Sequence, residues 1–319
     1  MVPAMRIARL LTLSALAFAS PALAAPPAKA LMKSNEKSHE KSHEKSPAPS
    51  LEADTRAWHE QRVARLTAED GWLSLVGLFW LQEGDNRLGS ADDNDFVFPA
   101  GTPAHIGTLK RQGAQATFTP APGVTVTRAG KPFTGGAVGT SEGEQDVLGL
   151  GSLRFYLIPR GDQLGLRVKD PQAPARKAFH GIPTWPASAT WRIEGRYEPA
   201  ATPRMLPVPT VLGTVEEMKS PGTLVFQVEG QEYRLDAVLE EDGAPFFIIF
   251  GDQTNRTESY GAGRFLSVDP PKEGRVVLDF NRAYNPPCAF SPYATCPLPP
   301  AQNRLKLRVE AGEKRYGDH

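Results

Sequence analysis

Asp252, Arg264, Asp279 and Asn281 stand at the ends of apolar runs that alternate with period two, and this placement makes them the first candidates for chemistry. Alternation puts Asp252 on the same side as Phe246, Ile248 and Phe250, and puts Asp279 and Asn281 beside Val277. A carboxylate carried inward on such a face demands a partner. Arg264, after Gly261-Ala-Gly263, and Lys314 are the available cations. With Tyr260 and Tyr284 nearby, the set Asp252, Tyr260, Arg264, Asp279, Asn281 and Tyr284 suits a small polar or anionic ligand at a domain rim. The same residues also fit a salt-bridge lock that ties the proline-rich crossover 285–300 onto a sheet. A third arrangement is hydrolytic, with Asp252 and Asp279 as acid and base or as metal ligands, which requires the two within ~10 Å of each other.

Other constellations are thinner. Gly139-Thr-Ser141-Glu-Gly143 has the form of a nucleophile elbow, with Asp170 and His180 following in order, but neither a buried strand before it nor a helix after it is legible. Cys288 and Cys296, the two cysteines of the chain, are eight apart among prolines and are expected to pair as a disulfide. His180, flanked by Phe179, Ile182 and Trp185, is expected to be a packed core residue. No cofactor is implied by any of these groups, and no set of metal ligands is complete.

The elements that must position these groups are short strands. Thirty prolines and twenty-nine glycines divide most of the chain into runs of four to nine residues, which excludes long helices. Period-two runs at 116–119, 124–127, 153–158, 165–168, 190–197, 224–228, 233–239, 245–250, 275–280 and 305–309 predict a mainly β protein, with a hairpin turn in Glu229-Gly-Gln-Glu232. The run Phe246–Phe250 is apolar on both faces and predicts a central, doubly buried strand. Leu51, Trp58 and Leu66 recur at helical spacing and predict one amphipathic helix over 51–69, lying on the β structure. The remainder divides into an N-terminal β domain over 70–180, read as a sandwich, and a C-terminal sandwich or barrel over 181–316, both antiparallel.

Residues 1–24 read as a secretory signal: Arg6 and Arg9, an apolar run from Leu10 to Ala19, and small residues at Ala22 and Ala24. The run is too short to span a bilayer, so export to the periplasm or beyond is expected, not anchoring. Residues 25–50 form a Lys/Ser/Glu tether in which His39 and His43 stand four apart without a third ligand. The chain carries 36 basic and 36 acidic residues, and loss of the signal removes two arginines and no acid. No cationic excess is left to draw in nucleic acid.

Two resemblances arise from longer patterns. Asp279-Phe-Asn-Arg-Ala-Tyr-Asn-Pro-Pro-Cys288-Ala-Phe, Cys296-Pro-Leu-Pro-Pro300, Asn303 and Ala311-Gly-Glu-Lys314 resemble the bacterial and archaeal family known as domain of unknown function 1684. Gly71-Trp-Leu-Ser-Leu-Val-Gly-Leu-Phe-Trp80 and Tyr260-Gly-Ala-Gly-Arg264 fit that family as well. The family implies no activity. Arg87-Leu-Gly-Ser, Thr102-Pro-Ala-His105 and Gly130-Lys131 are similar in rhythm to a forkhead-associated β-sandwich. There the resemblance implies a fold without phosphothreonine binding, because Arg87 precedes its glycine, Thr102 replaces serine, and Ala129 stands where asparagine would. The functions left open are an envelope module that binds a small polar or anionic ligand, an exported hydrolase, and a ligand-free scaffold.

Overall fold

The computed structural model describes residues 50–140 and 146–317. The signal 1–24, the tether through residue 49 with His39 and His43, Ser141 and Gly143 of the elbow pattern, and His319 lie outside the described residues.

Helix α1 (Leu51–Thr67) begins where the Ser50 hydroxyl accepts from the Ala53 amide at 3.2 Å, with Glu52 and Asp54 in the first turn and Arg65 in the last, matching the helix dipole. Its buried face differs from the expected apolar stripe. Thr55, Arg62 and Leu66 are enclosed, whereas Leu51 and Trp58 remain partly exposed. One leucine cannot hold a helix of this length to a protein, so polar contacts must do much of that work.

The chain then forms β1 (Leu75–Trp80), β2 (Gly84–Gly89), β3 (Phe96–Val97), β4 (Gly107–Gln112), β5 (Gln115–Pro120), β6 (Thr127–Arg128), β7 (Lys131–Pro132), β8 (Gly136–Val138), β9 (Leu148–Leu150), β10 (Leu153–Arg160) and β11 (Gln163–Lys169). They make a six-stranded sheet in the order β1-β11-β10-β9-β6-β7 and a five-stranded sheet in the order β3-β2-β4-β5-β8. Leu88, Leu109 and Phe118 from one and Phe155, Leu166 and Val168 from the other share a single core. β5 alternates buried and exposed, as one wet face requires, but β10 and β11 bury residues on both faces. Arg87 pairs with Asp95 at 3.2 Å and the Thr102 hydroxyl closes a turn on the Pro99 carbonyl, so the positions of the forkhead-associated rhythm are spent locally. Of the run expected at 124–127, only Thr127 enters a strand; the Val124 amide is taken by a turn to the Ala121 carbonyl.

The second half contains β12 (Arg192–Pro209), β13 (Val215–Val228), β14 (Gln231–Asp236), β15 (Phe246–Phe250), β16 (Arg264–Val268) and β17 (Arg275–Asp279), in sheets ordered β14-β13-β12-β17 and β15-β16. Glu229 (φ 52°) and Gly230 (φ 79°) form the two-residue turn between β13 and β14; two left-handed residues give the twist a tight hairpin needs. β15 is enclosed on both sides as expected: Phe246, Ile248 and Phe250 enter one core, Ile249 another.

Two stretches depart from the sequence reading. β12 runs through Pro207 and Pro209, which punctuate the sequence like a loop. They are tolerated because this part of β12 pairs with β13 on one side only; the Pro209 carbonyl points away from β13, toward the Leu298 amide. Conversely, the alternating run 305–309 is not a strand. Leu305 and Val309 are buried, and the Leu305 amide and Leu307 carbonyl pair with Gly251 and Gln253, but the pairing ends there, with the Val309 carbonyl taken by the Arg264 guanidinium.

Candidate functional site

Arg264 and Asp252 meet, in the core and not on a rim. Both side chains are fully enclosed, joined at 2.8 Å. The guanidinium also donates to the carbonyls of Val309 (2.8 Å), Glu313 (3.3 Å) and Ala311, and lies between the rings of Trp185 and Phe250. Burial pushes its pKa down from the ordinary arginine value, and the Asp252 carboxylate opposes this. The second Asp252 oxygen accepts from the Thr254 amide (2.8 Å) and hydroxyl (2.6 Å), and Asn255 accepts from the Asp252 amide while donating to Ser259 and to the Tyr260 carbonyl. Every polar atom of the loop from Asp252 to Tyr260 named here is committed to holding the loop.

Asp279 and Asn281 form a separate knot. The Asn281 amide group bridges the Ser188 backbone at 2.9 and 3.0 Å and donates to Asp279 at 2.9 Å, while Asp279 lies 3.6 Å from Arg282 and 3.9 Å from Arg192. Its cations are therefore these two arginines. Lys314 stands over Trp185. The Tyr260 hydroxyl donates to the Cys288 carbonyl at 3.2 Å. Cys288 and Cys296 are thiols in contact, with the Cys288 amide 3.2 Å from the Cys296 sulfur. His180 is exposed, not packed, because Phe179 turns inward against Tyr316 instead.

Of the expected site residues, Tyr284 lines a cleft. A cleft of about 620 Å³ lies between α1, the edge of the six-stranded sheet and β16, lined by Trp58, Arg62, Arg65, Trp72, Lys169 and Tyr284, with Asp70 and Ser267 at its margin. Its back wall is a second buried ion pair, Arg62 with Glu313 at 3.3 Å, across 251 residues of sequence. Arg62 also donates to the Asn285 carbonyl (2.9 Å) and packs between the rings of Tyr284 and Phe290, and the far oxygen of Glu313 accepts from the Asn285 amide (2.7 Å). Burial raises the Glu313 carboxyl above its ordinary range against the pull of Arg62, and burial pushes the Tyr284 phenol up to about 12. Gly312 sets Glu313 in place: its φ is +77° and an added Cβ would lie 2.3 Å from the Ala283 carbonyl, so glycine alone fits. On the cleft walls, Lys169 stands over Tyr156, and Arg167 behind it lies over Trp72. Arg65 is exposed, with no ion pair among the described residues.

His59 adds a pH-sensitive contact to the helix. Burial lowers its pKa from 6.5, with the charges of Arg62 and Arg282 acting in the same sense against its bond to the Asn281 carbonyl. A depressed folded pKa means that the unfolded chain takes up the proton first, so stability is fully present above about pH 6.5 and is lost as the pH falls below it. Wild type should therefore lose more stability between pH 7 and pH 5 than His59→Asn, read by urea melts at each pH. Parallel curves would remove His59 from the account. Glu313, present in both proteins, cancels in the difference.

The cleft residues Trp58, Arg62, Arg65 and Lys169 were not legible as a site. Their one sequence signal is Trp72, within the Gly71–Trp80 run, because each wall comes from a different part of the chain.

Fold and cleft together define a mainly β protein with a helix-walled, cation-lined cleft at the junction of its sheets. The chain belongs to the family described as protein of unknown function DUF1684, whose model matches residues 177–314. Among solved structures, the solution NMR structure of an uncharacterised protein from Haloarcula marismortui is 30% identical, over 45% of this chain and 81% of that one, with a TM-score of 0.39. No curated protein matches. Ser267 and Tyr284 fall inside the family segment; α1, Trp72 and Lys169 precede it.

Proposed function

We propose that the protein is an exported cell-envelope module that binds a small anionic ligand in the cleft beside α1. The observation that carries this reading is the cleft itself: Arg65 and Lys169 line one cavity with Trp58, Trp72 and Tyr284, and Asp70 is the one acid among its described lining residues. Its volume falls in the range of small-molecule sites, and aromatic walls with a few charged groups are their usual lining. The family's own segment contributes Tyr284, and residues expected at a rim, Asp252 and Arg264, serve as the framework behind it. Export rests on the signal-like residues 1–24. In an oxidising compartment, Cys288 and Cys296 close as a disulfide.

Protein recovered from the envelope fraction should begin at Ala25, and calorimetric titration with phosphate, citrate and phenyl phosphate should find at least one binder. Arg65→Ala with Lys169→Ala should weaken that binding at least tenfold, and Arg65→Ala alone, at an exposed position, should weaken it while leaving the melting temperature nearly unchanged. Equal affinity in the double variant would remove the cleft from the proposal, and an intact Met1 would remove export. A hydrolase using Asp252 has no observation in its favour: that carboxylate is fully enclosed and both oxygens are engaged.

A further inference from the structure

Cys288 and Cys296 differ in exposure and in how their backbone is held. Cys288 sits in the short turn Pro287–Ala289 and is partly exposed; Cys296 is 4% exposed. Cys296 is held from outside the loop, its carbonyl accepting from the Val211 amide at 3.0 Å and the next residue bridging to Thr210. Its sulfur accepts from the Cys288 amide at 3.2 Å, so the two sulfurs are brought together by backbone on both sides. Tyr260, in the knotted loop after Asp252, reaches across with its hydroxyl to the Cys288 carbonyl at 3.2 Å.

We infer that Cys288 and Cys296 form a thiol–disulfide exchange centre, in which Cys288 meets the disulfide of a partner molecule and Cys296 resolves the mixed disulfide. The chemistry follows from the surroundings. Hydrogen bonds from the Cys296 thiol and then from Tyr260 lower the Cys288 pKa against the effect of burial, while the Cys288 hydrogen bond and burial carry Cys296 far above the thiol range. The thiolate is the attacking species, and Cys288, the more exposed of the two, is the one a partner disulfide can reach first. Its sulfur attacks one sulfur of the incoming disulfide, forming a mixed disulfide and releasing a thiolate. That thiolate takes the Cys296 proton, and the Cys296 sulfur attacks the Cys288 sulfur, closing the intramolecular bond and releasing the second thiol. Two electrons pass from the protein to the partner, which leaves as two thiols. The reverse sequence, starting from a reduced thiol, reopens the pair. Trp72 and Tyr284 pack against the same small core as both cysteines and also line the cleft, so the centre lies directly behind the proposed ligand site.

This inference rests on the disulfide assigned above and adds that the bond is exchangeable. Full-length protein, reduced and kept under nitrogen at pH 7, should react with iodoacetamide at Cys288 at least tenfold faster than at Cys296, read by peptide mass. Cys296→Ser with glutathione disulfide should trap a glutathione adduct on Cys288, whereas wild type under the same conditions should proceed to the intramolecular disulfide and return to thiols in millimolar reduced glutathione while folded. A wild type that never forms the bond overturns both this inference and the disulfide assignment. A bond that forms but resists glutathione in the folded protein marks a staple, and only the exchange centre falls. Should Cys296→Ser fail to fold, the two alkylation rates in wild type decide alone, and equal rates or a faster Cys296 refute the order of attack.

Discussion

Arg264→Met should destabilise the protein by roughly 3–5 kcal/mol, the usual cost of stranding one partner of a buried ion pair. Three consequences combine in that figure. Asp252, with its side chain fully enclosed, loses its cation; the carbonyls of Val309, Ala311 and Glu313 lose a donor; and the space between Trp185 and Phe250 is filled by a side chain that can bond to none of them. Adding Asp252→Asn removes the stranded charge and leaves an oxygen for Thr254, so the double variant should recover the electrostatic share of the loss. It cannot restore the three carbonyls, and full recovery is not expected. Urea melts of the two variants against wild type check this. A loss below about 1 kcal/mol for Arg264→Met, within the range of ordinary surface changes, would mean that the pair locks nothing. Because Arg264 does not line the cleft, ligand affinity measured on the folded fraction should be unchanged, which separates a lock from a binding residue.

Arg62→Ala should have a comparable effect of a different kind, because Arg62 is the main polar attachment of α1. Removing it leaves Glu313, a carboxyl with no exposure, bonded only to the Asn285 amide, and frees the Asn285 carbonyl and the faces of Tyr284 and Phe290. The loss should fall near the lower end of the same range, about 3 kcal/mol. Relief is available here that the Arg264 site lacks: α1, with Leu66 as its one fully enclosed apolar side chain, can lift and let water reach Glu313. Amide hydrogen exchange should therefore rise across 51–67 well before it rises in β10 or β13. Trp58 and Arg65 leave with the helix, so anion binding in the cleft should disappear in the same variant. Adding Glu313→Gln should lower the cost, since a neutral amide tolerates the vacated site better than a carboxylate. Unchanged exchange in α1 would show that the helix is held by something other than this pair.

The two ion pairs show where sequence reasoning succeeds and where it stops. Runs rich in β-branched and aromatic residues located β5, β10, β11, β14, β15 and β17 to within a few residues, and caught only the C-terminal part of β13, whose first nine residues were missed. Alternation marked Asp252 as an inward-facing carboxylate and Arg264 as a cation for it. It also marked 305–309, which carries the same alternation and buries Leu305 and Val309, but whose backbone pairs only briefly with residues 251–253 before the Val309 carbonyl goes to a guanidinium. Side-chain period reports which residues are buried; it is silent on what satisfies the backbone. The prolines of β12 misled in the opposite direction, because their cost depends on whether the missing N–H would have faced the paired strand, and here it faces away from β13.

What the sequence determined by itself is local and periodic: a mainly β chain, one helix over 51–69, a hairpin turn within 229–232, a doubly buried strand at 246–250, and a resemblance to its family through the 279–314 patterns. These follow from forces that act between near neighbours or that repeat at fixed intervals. The tertiary structure alone decided that Asp252 and Arg264 lie inside the core, that Asp279 belongs to a separate knot, that Arg62 meets Glu313, and that Trp58, Arg65, Trp72, Lys169 and Tyr284 share one cleft. Such pairings are set by how distant segments pack, and a buried charge takes whichever opposite charge that packing delivers. Arginine at 62 and glutamate at 313 are each ordinary residues in their own surroundings, and only their meeting gives α1 its place and the cleft its wall.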